Sequence, residues 1–166
     1  MKKEYKDELD KMDNFFKNYS NIPDEVFHTR CMDDFVQKMK NLVATKDIEV
    51  LEHLLDFFVE DFDLEVGGVC ESLKSQIGVN YTLDQILEAF YKKFDSLARN
   101  HLDICAEMSM WFLYNDYFDK FKEMFNFIKS DHSDQFIENM KEGFKYDIPE
   151  DVQKMILLLE QDMKNW

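Results

Sequence analysis

Three carboxylates in the segment VEDFDLEVGG have the spacing of calcium ligands. Asp61, Asp63 and Glu65 match the first three ligand positions of a helix–loop–helix calcium site. Such a loop also requires glycine at its sixth position and a bidentate glutamate at its twelfth. Counted from Asp61, those positions hold Val66 and Ser72, so the sequence predicts no calcium site.

Other metal and catalytic patterns are equally incomplete. A di-iron helical bundle needs two Glu-x-x-His motifs, and only one occurs, from Glu25 to His28. The three cysteines are too widely spaced for a zinc site or a disulfide framework. No glycine-rich phosphate loop, nucleophile elbow or Cys/His signature is present. We therefore expect no metal, no cofactor, no small-molecule substrate and no enzymatic activity.

The charge balance points to a basic partner. The chain has 166 residues, with 35 Asp and Glu against 20 Lys and Arg, for a formal net charge of -15. Such a charge repels nucleic acid and anionic lipid, and it speeds encounter with cationic proteins. No stretch has the length and apolar character of a membrane span or a signal peptide. We expect a cytoplasmic protein that binds neither nucleic acid nor membranes.

The elements that must position these acids are helices. Apolar residues recur at steps of three and four almost throughout, which predicts an all-α fold of about nine helices. The whole chain, residues 1–166, is predicted to form a single domain. From residue 24 onward the helices group as successive hairpins of 30–36 residues, which favours a HEAT-like solenoid or an irregular bundle. The predicted pairs are 24–59, 65–97, 101–130 and 133–164.

Polar residues and glycines predict where individual helices begin and end. Asp47 is expected to open the third helix. Gly67-Gly68 should separate that helix from a short fourth helix, which ends near Gly78. Thr82 with Gln85 forms a capping box for the fifth. Asn115 or Asp116 is expected to start the seventh helix, and Ser133 to cap the eighth.

The acids cluster in and after the third helix. No Lys or Arg occurs between Lys46 and Lys74, whereas nine carboxylates do. Glu49, Glu52, Asp56 and Glu60 follow one another at steps of three, four and four. Like charges at these steps repel and cost helix stability. Two interpretations remain: a solvated face that the protein tolerates, or a surface whose repulsion a cationic partner relieves.

The region 51–125 resembles helical immunity proteins of bacterial polymorphic-toxin and contact-dependent growth-inhibition systems. The resemblance rests on the segment LEHLLDFFVEDFDLEVGGVCESLKSQIGVNYTLDQILEAFYKKFDSLARNHLDICAEMSMWFLYNDYFDKFKEMF. It runs from an acidic helix through a glycine-containing turn, a short helix and a capped helix to a hydrophobic helix and NDYFDKFKEMF. It implies a protein that binds and neutralises a co-encoded toxin domain, often a nuclease, and it carries over no catalytic residues.

Two alternatives accompany this prediction. Residues 111–129, WFLYNDYFDKFKEMFNFIK, are similar to the last helices of domains that bind small Arf-like GTPases. The acids would equally suit a nucleic-acid mimic that inhibits a DNA-processing enzyme. The predicted partner is a cognate basic toxin domain. The predicted partner-binding residues are Asp47, Glu49, Glu52, Asp56, Glu60, Asp61, Asp63, Glu65, Tyr114, Asp116 and Tyr117.

Overall fold

The computed structural model describes residues 2–18, 32–56, 67–100, 102–125, 132–142 and 148–163, and these residues confirm the all-α prediction. They form helices joined by turns, with no strand among them. The helices are α1 (Lys3–Asn18), α2 (Met32–Val43), α3 (Ile48–Asp56), α4 (Gly67–Asn80), α5 (Leu83–Asn100), α6 (Leu102–Tyr114), α7 (Phe118–Phe125), α8 (Ser133–Glu142) and α9 (Glu150–Met163). The choice between a solenoid and an irregular bundle stays a prediction.

Two helix starts follow the predicted capping chemistry. The Thr82 hydroxyl accepts the Gln85 backbone N–H at 3.3 Å, and the Gln85 amide oxygen accepts the Thr82 N–H at 3.0 Å. This reciprocal pair satisfies two amides at the start of α5. At α3, Asp47 Oδ1 accepts the backbone N–H of Glu49 at 3.0 Å. Asp47 and Thr82 are therefore confirmed as helix caps.

Of three further predicted boundaries, one is confirmed and two are wrong. Helix α4 begins at Gly67 and ends at Asn80, two residues after Gly78, as predicted. Asn115 and Asp116 terminate α6 and do not start α7. Ser133 is the first residue of α8 and does not cap it: the Phe136 N–H donates to the His132 carbonyl, and the Ser133 hydroxyl is buried without a hydrogen-bond partner among the described residues. At the two wrong boundaries the residue type suits a helix cap, but the residue lies within three positions of the helix start without capping it.

Contacts along the chain divide it into two compact units, Met1–Ala89 and Phe90–Trp166, and the boundary falls within α5. In the first unit, α2 packs against α1, α3 and α4. The prediction of one domain over residues 1–166 stays a prediction. The core of this unit is mainly aliphatic and includes Leu9, Met12, Met39, Leu42, Val43, Leu51, Leu54, Leu55 and Ile77.

The second unit is built on phenylalanine. In this unit α6 packs against α7, α8 and α9, and α8 packs against α9. Six phenylalanine rings are almost fully buried, and each lies against at least two of the others at centroid distances of 5.2–6.3 Å. These residues are Phe90, Phe94, Phe112, Phe121, Phe125 and Phe136. Edge-to-face and stacked pairs of this kind add to the stabilisation from burial alone.

Candidate protein-binding face

Helix α3 is two-sided. Its apolar residues Val50, Leu51, Leu54 and Leu55 all have 0% exposure, so this side is fully embedded in the first unit. Burying four such side chains contributes on the order of 6–12 kcal/mol before the entropy cost of ordering them. Like-charge pairs on the other side cost only a few tenths of a kcal/mol each, so burial determines how α3 is oriented.

The side away from the core carries three of the predicted carboxylates. Glu49 is exposed, and Glu52 and Asp56 are half-buried. Steps of three and four residues place them on one side of the helix. We call these three residues the acidic face. Each has an interaction within the chain, so the carboxylates belong to the folded surface and are not isolated charges.

The position of Glu49 on α3 offsets part of the repulsion within the acidic face. Glu49 lies in the first turn, where the unpaired backbone amides and the helix dipole favour negative charge. His53 is four residues after Glu49 and three before Asp56, so it lies on the same side of the helix.

Asp47 differs in role from the acidic face. Its carboxylate accepts a hydrogen bond from the backbone N–H of Glu49 and so caps the helix. One of the two Asp47 carboxylate oxygens is therefore already used within the chain. Its backbone carbonyl accepts two hydrogen bonds, from the Leu51 N–H at 3.1 Å and from the Tyr81 hydroxyl at 3.1 Å. The second bond spans 34 residues and reaches α3 from the joint between α4 and α5. Tyr81 did not stand out in the sequence because nothing local links it to Asp47.

The predicted residues Tyr114, Asp116 and Tyr117 lie at the turn between α6 and α7, in the second unit. Tyr114 is 52% exposed, which is unusual for so large a ring. Asp116 is exposed and adopts a left-handed conformation with φ 55°. Tyr117 is half-buried and is occupied within the chain by Lys120, whose ammonium lies 4.7 Å from the ring centroid and 3.1 Å from the hydroxyl.

The α6–α7 turn is firmly held. The Tyr117 N–H donates to the Phe112 carbonyl at 2.9 Å, which together with the left-handed Asp116 is the Schellman arrangement that ends many helices. The Asn115 side-chain amide donates to the Trp111 carbonyl at 2.6 Å. Tyr114 is consequently presented on a rigid turn, which lowers the entropy cost of using it in an interface.

The other predicted acids, Glu60, Asp61, Asp63 and Glu65, lie outside the described residues. Within the ranges that the structure does describe, no three His, Cys, Asp or Glu side chains come together as a metal site. The expectation that the protein binds no metal stays a prediction.

Cys105 offers no accessible nucleophile. It has 0% exposure in α6, and burial raises the pKa of its thiol far above the ordinary value. A thiol that stays protonated at neutral pH is a poor nucleophile and metal ligand. Its environment is that of a small apolar core residue, as the cysteine spacing indicated.

Comparison with known proteins adds no relative: no family model, curated protein or solved structure matches the chain. The described helices include none that combines the length and the apolar character needed to cross a bilayer.

Proposed function

We propose that the protein is an immunity protein that binds and neutralises a basic toxin domain of the nuclease type. The observation that carries the proposal is the two-sidedness of α3: its apolar side is buried in the core, and the acidic face lies on the opposite side, with Glu49 exposed and Glu52 and Asp56 half-buried. A nuclease must hold phosphate backbones and is therefore rich in cations. Carboxylates fixed on a rigid helix offer those cations a substitute for phosphate.

The physical advantage of this arrangement is mainly kinetic. Complementary charge steers two proteins into encounter and raises the association rate by orders of magnitude at low salt. Rapid capture matters for an inhibitor of a toxin that acts inside the same cell. We place the protein in the cytoplasm as part of the same proposal.

The GTPase-binding alternative has less support. It rests on residues 111–129, and two of the phenylalanines in that segment, Phe121 and Phe125, are 1% exposed in the aromatic core. They are therefore not available to contact a partner without unfolding. The nucleic-acid-mimic alternative uses the same acidic face and differs only in the partner.

The experiment that tests the proposal uses the toxin domain encoded beside this chain. Cells that express the domain alone should stop growing, and co-expression of this chain should restore growth. The two purified proteins should form a 1:1 complex, and an unrelated basic nuclease should not bind. Restored growth without a complex, or equal binding to the unrelated nuclease, would contradict the proposal.

A further inference from the structure

The joint between α2 and α3 is short and conformationally restricted. Four residues, 44–47, connect Val43 to Ile48. Within them Lys46 adopts φ 55°, a left-handed conformation that residues with a side chain rarely take. Such a conformation persists only where surrounding contacts enforce it.

Local hydrogen bonds determine the shape of this joint. The Thr45 N–H donates to the Leu42 carbonyl at 3.1 Å, and the Lys46 N–H donates to the Val43 carbonyl at 3.2 Å. The Thr45 hydroxyl donates to the Leu42 carbonyl at 2.6 Å and accepts the Asp47 N–H at 3.3 Å. All of these bonds join residues within three positions of one another, so they shape the joint locally.

The Tyr81 hydroxyl, which also has a hydrogen bond with the Thr45 side chain, ties the joint to another part of the first unit. The Tyr81 hydroxyl donates to the Asp47 carbonyl, which is also the acceptor of the first bond of α3. Tyr81 is 5% exposed, so its hydroxyl needs a partner inside the protein. Burial raises the pKa of Tyr81 to about 12, so the phenol keeps the proton it donates throughout the physiological range.

Tyr81 is itself held in place from both sides. Its backbone N–H donates to the Ile77 carbonyl at 3.0 Å, at the end of α4. The residue that follows, Thr82, forms the capping box of α5. The hydroxyl is therefore a fixed donor on a rigid joint, and it is aimed at the first turn of the acidic helix.

From this geometry we infer that Tyr81 is a positioning residue for the acidic face, because its hydroxyl fixes the start and the direction of α3. Apolar packing holds α3 in the core but is non-directional, whereas a hydrogen bond to the carbonyl at the helix start is directional. Glu49 lies two residues beyond that carbonyl. The consequence for partner binding rests on the proposed function, but the positioning itself does not.

The test is amide hydrogen exchange in the protein without a partner. Tyr81→Phe keeps the ring and removes only the hydroxyl. Exchange at Glu49 and Leu51, whose N–H groups bond to Asp47, should quicken about 2- to 10-fold, in line with the loss of one hydrogen bond. Amides of α1 should stay unchanged, as should all amides in the control variant Tyr91→Phe, which alters an exposed tyrosine.

A rescue experiment separates donation from packing. With 4-aminophenylalanine at position 81, an N–H donor is restored at the same place, and exchange at Glu49 and Leu51 should return toward the wild-type rate. Unchanged exchange in Tyr81→Phe, equal acceleration throughout the first unit, or no rescue would each overturn the inference. These outcomes need no toxin, so they are distinguishable from a failure of the complex to form.

Discussion

Truncation of Phe94 tests the aromatic core of the second unit. This side chain is 1% exposed, and its ring lies 5.8 Å from Phe90, 5.9 Å from Phe125 and 5.2 Å from Phe136. Phe→Ala at a buried site costs about 3–5 kcal/mol through lost burial and the resulting cavity. Three ring contacts, each worth about 0.5–1.5 kcal/mol beyond burial, place Phe94→Ala near the upper end of that range.

The assay measures the free energy of unfolding in urea, with circular dichroism as the signal and Tyr91→Ala as the matched control. Tyr91 lies three residues before Phe94 on the same helix and is exposed. Its truncation should lower the free energy of unfolding by less than about 1 kcal/mol. If Phe94→Ala costs no more than Tyr91→Ala, the packing described for the second unit is wrong.

Three further predictions concern single groups. Between pH 10 and pH 12 the free energy of unfolding of the wild type should fall by about 2–3 kcal/mol more than that of Tyr81→Phe, because the Tyr81 phenol ionises near pH 10 in the unfolded chain but only near about pH 12 in the folded protein. Equal pH dependence of unfolding in the two proteins would contradict this. Cys105 should react with iodoacetamide about 100-fold or more slowly in the folded protein than in urea, as measured by peptide mass spectrometry, and rapid labelling of the folded state would refute its burial. Lys122 and Asp162, 2.8 Å apart and each about one-third exposed, should show a coupling of about 0.5–1 kcal/mol in a double-mutant cycle, which falls at about 1 M salt; a coupling unaffected by salt would argue against an ion pair.

Sequence patterns predicted the elements whose causes are local. Apolar spacing gave the helices, and side chains within three residues of a helix start gave the caps at Asp47 and Thr82. The same reasoning failed at Asp116 because a left-handed conformation normally indicates glycine or asparagine, and the sequence offers aspartate there. At Ser133 the usual capping residue lies one position too far along the chain.

In the candidate site, too, the features with local causes could be predicted from the sequence and those that depend on tertiary packing could not. That Glu49, Glu52 and Asp56 share a side of α3 follows from helical spacing alone. The bond from Tyr81 to Asp47 depends on how two joints pack, 34 residues apart, and no local pattern encodes it. The contact between Lys120 and Tyr117 could have been predicted from the sequence, because residues three apart at a helix are neighbours.

Control variants for the acidic face must not break other contacts. Acids of the last two helices are unsuitable, because Glu138 and Glu160 bond to Lys141 and Asp162 bonds to Lys122. Three exposed acidic residues elsewhere in the chain remove the same number of negative charges as the three substitutions in the acidic face, so they are a better control. We define the control set as Asp10→Asn, Asp119→Asn and Glu123→Gln.

The most direct test of the central claim is the association rate with the co-encoded toxin domain, measured by stopped flow at low and high salt. The face variant combines Glu49→Gln, Glu52→Gln and Asp56→Asn and is compared with the control set. At low salt the face variant should associate about 10-fold more slowly and lose much of its salt dependence, whereas the control set should change the rate by less than about 3-fold. Equal slowing by both sets would show that net charge alone steers the partner. An unchanged rate in the face variant would show that the acidic face is only a solvated surface, which would contradict the proposed function.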